Sequence, residues 1–101
     1  MASSKEYLEF VMEQCPEGTT YRAMMGEYVL YYRGRVFGGI YDDRLLVKPV
    51  KSVIARMPNG VYELPYEGAN PMLLAEQIED RDYMRELLEE MYPELPARKK
   101  K

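Results

Sequence analysis

The chain has 101 residues, of which 47% are apolar and 31% charged, and its formal charge is −3. That composition belongs to one folded domain rather than a disordered chain or a nucleic-acid-coating basic protein. A single cysteine, Cys15, excludes an intramolecular disulfide framework. No apolar run approaches the ~20 residues of a bilayer span, and Met1–Glu6 lacks the apolar stretch of a secretory leader. The expected compartment is therefore the cytoplasm.

Charge is divided along the chain. Between Arg22 and Arg56 seven basic residues stand against Glu27, Asp42 and Asp43, whereas between Glu63 and Glu94 ten acids stand against Arg81 and Arg85. Such a division either steers partners or is plain solvated surface.

The first element expected is a helix capped by Ser3 or Ser4, with Ser3 and Glu6 at capping-box spacing. Its apolar stripe is Tyr7, Leu8, Val11, Met12 and Cys15, and Pro16 with Gly18 end it. Cys15 at the end of that stripe reads as a small buried hydrophobe. A strand over Thr19–Met24 leads into two hairpins whose turns are Arg33-Gly34 and Asp42-Asp43. Counting outward from two-residue turns sets Leu30 opposite Phe37, Tyr28 opposite Gly39, Gly39 opposite Leu46 and Phe37 opposite Lys48. One face of this sheet then carries Val29, Tyr31, Val36, Ile40, Leu45 and Val47 and is expected to lie under helices. Tyr28, Leu30, Tyr32, Arg35, Phe37, Tyr41, Arg44, Leu46 and Lys48 fall on the other.

The pair Gly38-Gly39 weakens its strand and predicts a bulge or a ring lying across the gap. It has no phosphate-loop spacing around it. Beyond Pro49, Ser52–Met57 suits a short helix stopped by Pro58-Asn59-Gly60. Val61–Tyr66 alternates like a strand, but Pro65 confines it to an edge or to extended loop. Met72–Ala75 suits a short buried strand. Asp80 caps a last helix with the stripe Tyr83, Leu87, Leu88 and Met91, an Arg85–Glu89 pair on its polar side, and Pro93 as its stop. The folded unit is expected over 1–96, and 97–101, which holds Arg98-Lys99-Lys100-Lys101, is expected to be a disordered basic tail.

No catalytic constellation is legible. Histidine is absent, and general acid–base chemistry would have to come from Glu27, Asp42, Asp43, Glu63 or Glu67. Asp42-Asp43 is explained by turn chemistry. Glu27 falls at the end of the aliphatic face and calls for a salt bridge to Arg22 or Lys48, or else serves as a binding carboxylate. No Cys/His pairing or calcium-loop spacing suggests a metal, and no cofactor motif is present. Ten tyrosines against two phenylalanines and no tryptophan favour half-wet faces and interfaces. The expected interaction face is Tyr28, Leu30, Tyr32, Arg35, Phe37, Tyr41, Leu46 and Lys48. It would serve protein contact and two-fold self-association, or alternatively small-ligand or nucleic-acid stacking.

Met24-Met25-Gly26-Glu27-Tyr28, followed by Leu30-Tyr31, Gly34, Phe37-Gly38, Ile40, Asp42 and Leu45-x-Val47-Lys48, resembles the TfoX N-terminal domain family. Tyr62-Glu63-Leu64-Pro65-Tyr66 and Pro71-Met72 extend the resemblance over nearly the whole chain. It implies an α+β fold, an antiparallel sheet meander with N- and C-terminal helices packed on one face, related to secretion-chaperone-like proteins. It also implies a non-enzymatic regulator of competence for DNA uptake that acts with a transcription factor. Full-length TfoX proteins carry a second, C-terminal domain, for which this chain has no room.

Overall fold

The computed structural model describes residues 3–96; the expected basic tail lies outside them. The fold is α+β: a six-stranded antiparallel sheet carrying three helices on one face. In chain order the elements are α1 (Lys5–Gln14), β1 (Thr19–Met24), β2 (Glu27–Tyr32), β3 (Arg35–Ile40), β4 (Leu45–Val47), α2 (Lys51–Arg56), β5 (Tyr62–Glu63), β6 (Met72–Leu74) and α3 (Arg81–Met91). The sheet order is β1-β2-β3-β4-β6-β5, so the first four strands form a meander and β6 returns beside β4. Pro65 follows β5, which is accordingly a two-residue edge strand.

Three two-residue turns drive the meander. Met25 and Gly26 (φ +53° and +88°), Arg33 and Gly34 (+52° and +83°), and Asp42 and Asp43 (+55° and +57°) are all left-handed. That backbone is the one whose twist matches right-handed strands. Two of the turns were legible as expected; the Met25-Gly26 turn between β1 and β2 completes the set.

The register of β2 on β3 departs from simple counting. Tyr32 pairs with Arg35 and Tyr31 with Val36, but Leu30 then pairs with Gly38, Val29 with Gly39 and Tyr28 with Ile40. Phe37 is the extra residue of a β-bulge, which Gly38 permits because a Cβ there would meet the Leu46 carbonyl and lie 2.9 Å from Val47 Cα. Since side chains alternate with period two, this one residue exchanges the faces of everything on the β2 side of it. Leu30, Tyr32 and Phe37 lie in the core with Ile40, Leu45, Val47 and Leu73, beneath Leu8 and Val11 of α1, Val53 of α2, and Met84, Leu87, Leu88 and Met91 of α3. Val29, Tyr31 and Val36, expected under the helices, are instead half-exposed on the open face. For Ile40, Leu45 and Val47, which the bulge does not displace, the expected face is the observed one.

Local capping also differs in detail. Ser4, not Ser3, caps α1, its Oγ accepting from Tyr7 N at 3.1 Å. The Ser3–Glu6 box does not form because Ser3 is bound elsewhere, as described below. Asp80 caps α3 as expected, accepting from Tyr83 N at 3.0 Å. Arg85 turns back to Asp82 at 3.0 Å rather than forward to Glu89. Arg56 ties α2 to α3 through a two-pronged bond to Glu90, at 2.9 and 2.8 Å, which raises the guanidinium's pKa and lowers that of the carboxyl.

Candidate functional site

The expected interaction face is broken up, on its β2 side by the bulge. Leu30, Tyr32, Phe37 and Leu46 are 0–2% exposed and cannot meet a partner. Tyr28 is half-buried against the same core, in edge-to-face contact with Tyr21. Arg35, on the helix side, donates to the carbonyls of Tyr92 (3.0 Å) and Leu95 (3.4 Å) and stands 4.4 Å from the Tyr92 ring centroid. It closes the C-terminal end of α3, where unpaired carbonyls collect. Lys48 is half-exposed beside Tyr41 and Tyr66. Tyr28, Arg35 and Lys48 therefore do not line a common cleft, and the Tyr/Arg stacking platform does not form.

Tyr41 and Leu46 do lie on the open side, but the segment after β5 folds back over them. Arg44 forms an ion pair with Glu63 and reaches the Leu64 carbonyl at 3.5 Å. Tyr66 then leans on Tyr41, with ring centroids 6.3 Å apart and planes inclined by 57°. The Tyr41 ring lies across Gly39, where a Cβ would come within 2.6 Å of it. This is the ring-over-glycine arrangement expected of the double glycine, and Tyr41 supplies the ring.

Beside Tyr41 lies a cleft of about 320 Å³ walled by Met24, Met25, Val29, Tyr41, Pro65 and Tyr66, with Glu27 also in its lining. Met25 is 98% exposed, Tyr66 63% and Met24 52%. Burial pushes the Tyr41 hydroxyl pKa up, with smaller contributions from Tyr66 and Glu27.

Glu27 is held by hydrogen bonds, not by the salt bridge to Arg22 or Lys48 that charge alone suggests. Its Oε1 accepts from Ser3 Oγ at 2.6 Å and from the Asp42 N–H at 3.2 Å. Ser3 Oγ in turn accepts from the Asp43 N–H at 3.0 Å, and the Ser3 N–H donates to the Gly26 carbonyl at 3.0 Å. Asp43 Oδ1 accepts from the Ser4 N–H at 2.8 Å, so this turn carboxylate serves the α1 end rather than its own backbone. The residues before α1 thus clamp the β1–β2 turn to the β3–β4 turn. No ion pair to Glu27 occurs among the described residues, and Glu27 lines the cleft.

Sequence reasoning missed Met24, Met25, Val29, Pro65 and Tyr66 as wall residues. Met25-Gly26 was the available signal: an X-Gly turn with a large apolar residue where asparagine or aspartate is the usual occupant.

Cys15 ends α1, and burial pushes its thiol up to about 12. Among the described residues no group of three or more Cys, Asp or Glu side chains is arranged to hold a metal ion. Among the described residues no helix is long and apolar enough to cross a membrane.

Aligned over 102 residues, the chain is 32% identical to an uncharacterized 12.7 kDa protein in the trpE 5′ region of Spirochaeta aurantia. The alignment covers 98% of this chain and 89% of the spirochaete protein. The chain belongs to the same family as that protein. No family model matches the sequence, and no solved structure matches the fold.

Proposed function

We propose that the protein is a non-enzymatic, cytoplasmic regulatory module of the TfoX N-terminal type. In this reading it docks a protein partner in the cleft beside the β1–β2 turn. One observation carries the proposal: Met25 is an apolar side chain 98% exposed at φ +53°. An L-residue other than Asn or Asp pays about 1–2 kcal/mol for that conformation, and an exposed thioether gains nothing from burial in return. Strain held at a solvent-facing apolar residue is expected where contact is made with something else. Methionines suit such a surface because a flexible, polarisable side chain adapts to its partner.

The surroundings fit a partner segment that is apolar with one cation. Met24, Met25, Val29 and Tyr66 offer an apolar bed, and Glu27 with the Tyr41 ring offers a negative pole. A transcription factor presenting such a segment is the class of partner the TfoX resemblance suggests. The non-enzymatic reading is supported by the absence of histidine and by the raised thiol of Cys15, since an activated nucleophile needs the opposite shift. A second reading, a small apolar amine as ligand, is favoured by the cleft volume of about 320 Å³, which lies at the lower bound of ligand-sized pockets.

Affinity capture from the native cell, with wild-type protein and a Met25→Glu, Tyr66→Ala variant as paired baits, tests the proposal. A protein retained by the first and lost from the second is the expected result. Equal retention of every captured protein by both baits would refute it.

A further inference from the structure

We infer that β1 is a pairing edge for a second copy of this chain, joining two sheets antiparallel about a two-fold axis at Tyr21. This does not rest on the cleft reading, since it concerns the backbone edge rather than the open face. The sheet has two edges, β1 and β5, and they are built differently. β5 is two residues long, is followed by Pro65, and carries the Arg44–Glu63 ion pair. Those are the devices by which an edge is kept from pairing. β1 has neither the shortness nor the proline, and its one charge is Arg22. It runs for six residues without proline, and all but the first are exposed.

Turn geometry decides which groups face outward. In a two-residue hairpin the flanking residues exchange hydrogen bonds, here Met24 with Glu27, and the bonded pairs then recur at every second residue. At the far end the Arg33 N–H donates to the Gly18 carbonyl at 3.0 Å, which keeps the same even-numbered parity. Thr20 and Arg22 therefore bond to β2, whereas the N–H and C=O groups of Tyr21 and Ala23 point away from the sheet. Among the described residues no turn, loop or cap hydrogen bond takes up these outward groups.

A second copy complements this edge. Pairing Tyr21 with the second copy's Tyr21 satisfies both outward groups reciprocally and sets Ala23 opposite Thr19. The same register places Arg22 opposite Thr20, which avoids two facing guanidinium groups; a register centred on Arg22 would create that repulsion. On the helix side, Tyr21 borders a hollow of about 310 Å³ whose other walls include Leu8 and Met12 of α1. Tyr21 is 47% exposed, and the second copy's ring can rest against that hollow. Because the axis stands perpendicular to the joined sheet, both clefts beside Met25 open on the same side.

Sedimentation equilibrium on the full chain, from micromolar to hundreds of micromolar, is expected to show a monomer–dimer equilibrium. Ala23→Pro removes an outward N–H without touching the β1–β2 ladder and should weaken the dimer at least tenfold with circular dichroism unchanged. Tyr62→Pro on the opposite edge should leave it intact. A monomer throughout, or a folded Ala23→Pro protein that dimerises as well as wild type, would overturn the inference. Should Ala23→Pro fail to fold, Tyr21→Cys in a Cys15→Ser background decides. Directly paired residues lie about 5.5 Å apart at Cα, within disulfide reach. Mild oxidation should therefore give a covalent dimer, and its absence would overturn the inference equally.

Discussion

Replacing Met25 by asparagine should stabilise the fold while weakening the contact the residue is proposed to make. Met25 sits at φ +53° with its side chain 98% exposed, so the substitution forfeits no burial. The left-handed conformation costs an ordinary L-residue about 1–2 kcal/mol, and asparagine relieves much of it through local hydrogen bonding. A gain of about 1 kcal/mol is therefore expected, which for a domain of this size raises Tm by roughly 4–8 °C. Glycine would gain less, because its freedom in the unfolded chain offsets part of the relief. Met24→Asn is the control: that residue is 52% exposed at the end of β1, outside the turn. There asparagine only loses strand preference, worth up to about 1 kcal/mol in the other direction. Thermal unfolding by circular dichroism at fixed protein concentration reads both variants. A Tm for Met25→Asn at or below wild type would refute the claim that the turn stores strain at this residue.

Gly38→Ala should cost about 3 kcal/mol in denaturant unfolding, because its Cβ would meet two backbone groups of β4, the Leu46 carbonyl and Val47 Cα. Gly34→Ala, with φ +83° but nothing within 4 Å, should cost only about 1 kcal/mol. Phe37→Ala should cost about 3–5 kcal/mol, and Phe37→Glu should abolish cooperative unfolding, since Phe37 is a core residue at 0% exposure. The Cys15 thiol, raised from 9.0 to about 12, stays neutral in the folded chain while the unfolded chain ionises. Its contribution is therefore fully present below about pH 9 and is lost as pH rises toward about 12. Tyr7, Tyr41 and Tyr83 shift in the same sense, so the difference in stability slope between wild type and Cys15→Ala isolates the cysteine. A slope unchanged by that substitution would contradict the assignment.

Periodicity and turn chemistry made most of the elements legible. α1, the meander, the short α2 and the Asp80-capped α3 all follow from stripes, caps and X-Gly or Asp-Asp turns. The faces of β2, and with them the place of Val29 in the cleft wall, were not legible for one physical reason. A bulge is a one-residue insertion with no composition of its own, and Gly38-Gly39 signals that one exists without saying where the extra residue falls. Phe37 takes that place because Gly38, not Gly39, abuts the β4 backbone. Everything on the β2 side of it then changed face, moving Leu30 and Tyr32 into the core and Val29 and Tyr31 out of it. The clamp from Ser3 to Glu27 was hidden differently, since its partners are separated by 24 residues in sequence.

Single cysteines at positions 29, 30, 31 and 32 in a Cys15→Ser background test most directly which face of the sheet is available for binding. Labelling by a soluble thiol reagent under native conditions should be fast for Val29→Cys and Tyr31→Cys. For Leu30→Cys and Tyr32→Cys it should be limited by unfolding. The opposite alternation, with positions 30 and 32 labelled and 29 and 31 protected, would contradict the bulged register and the cleft that depends on it.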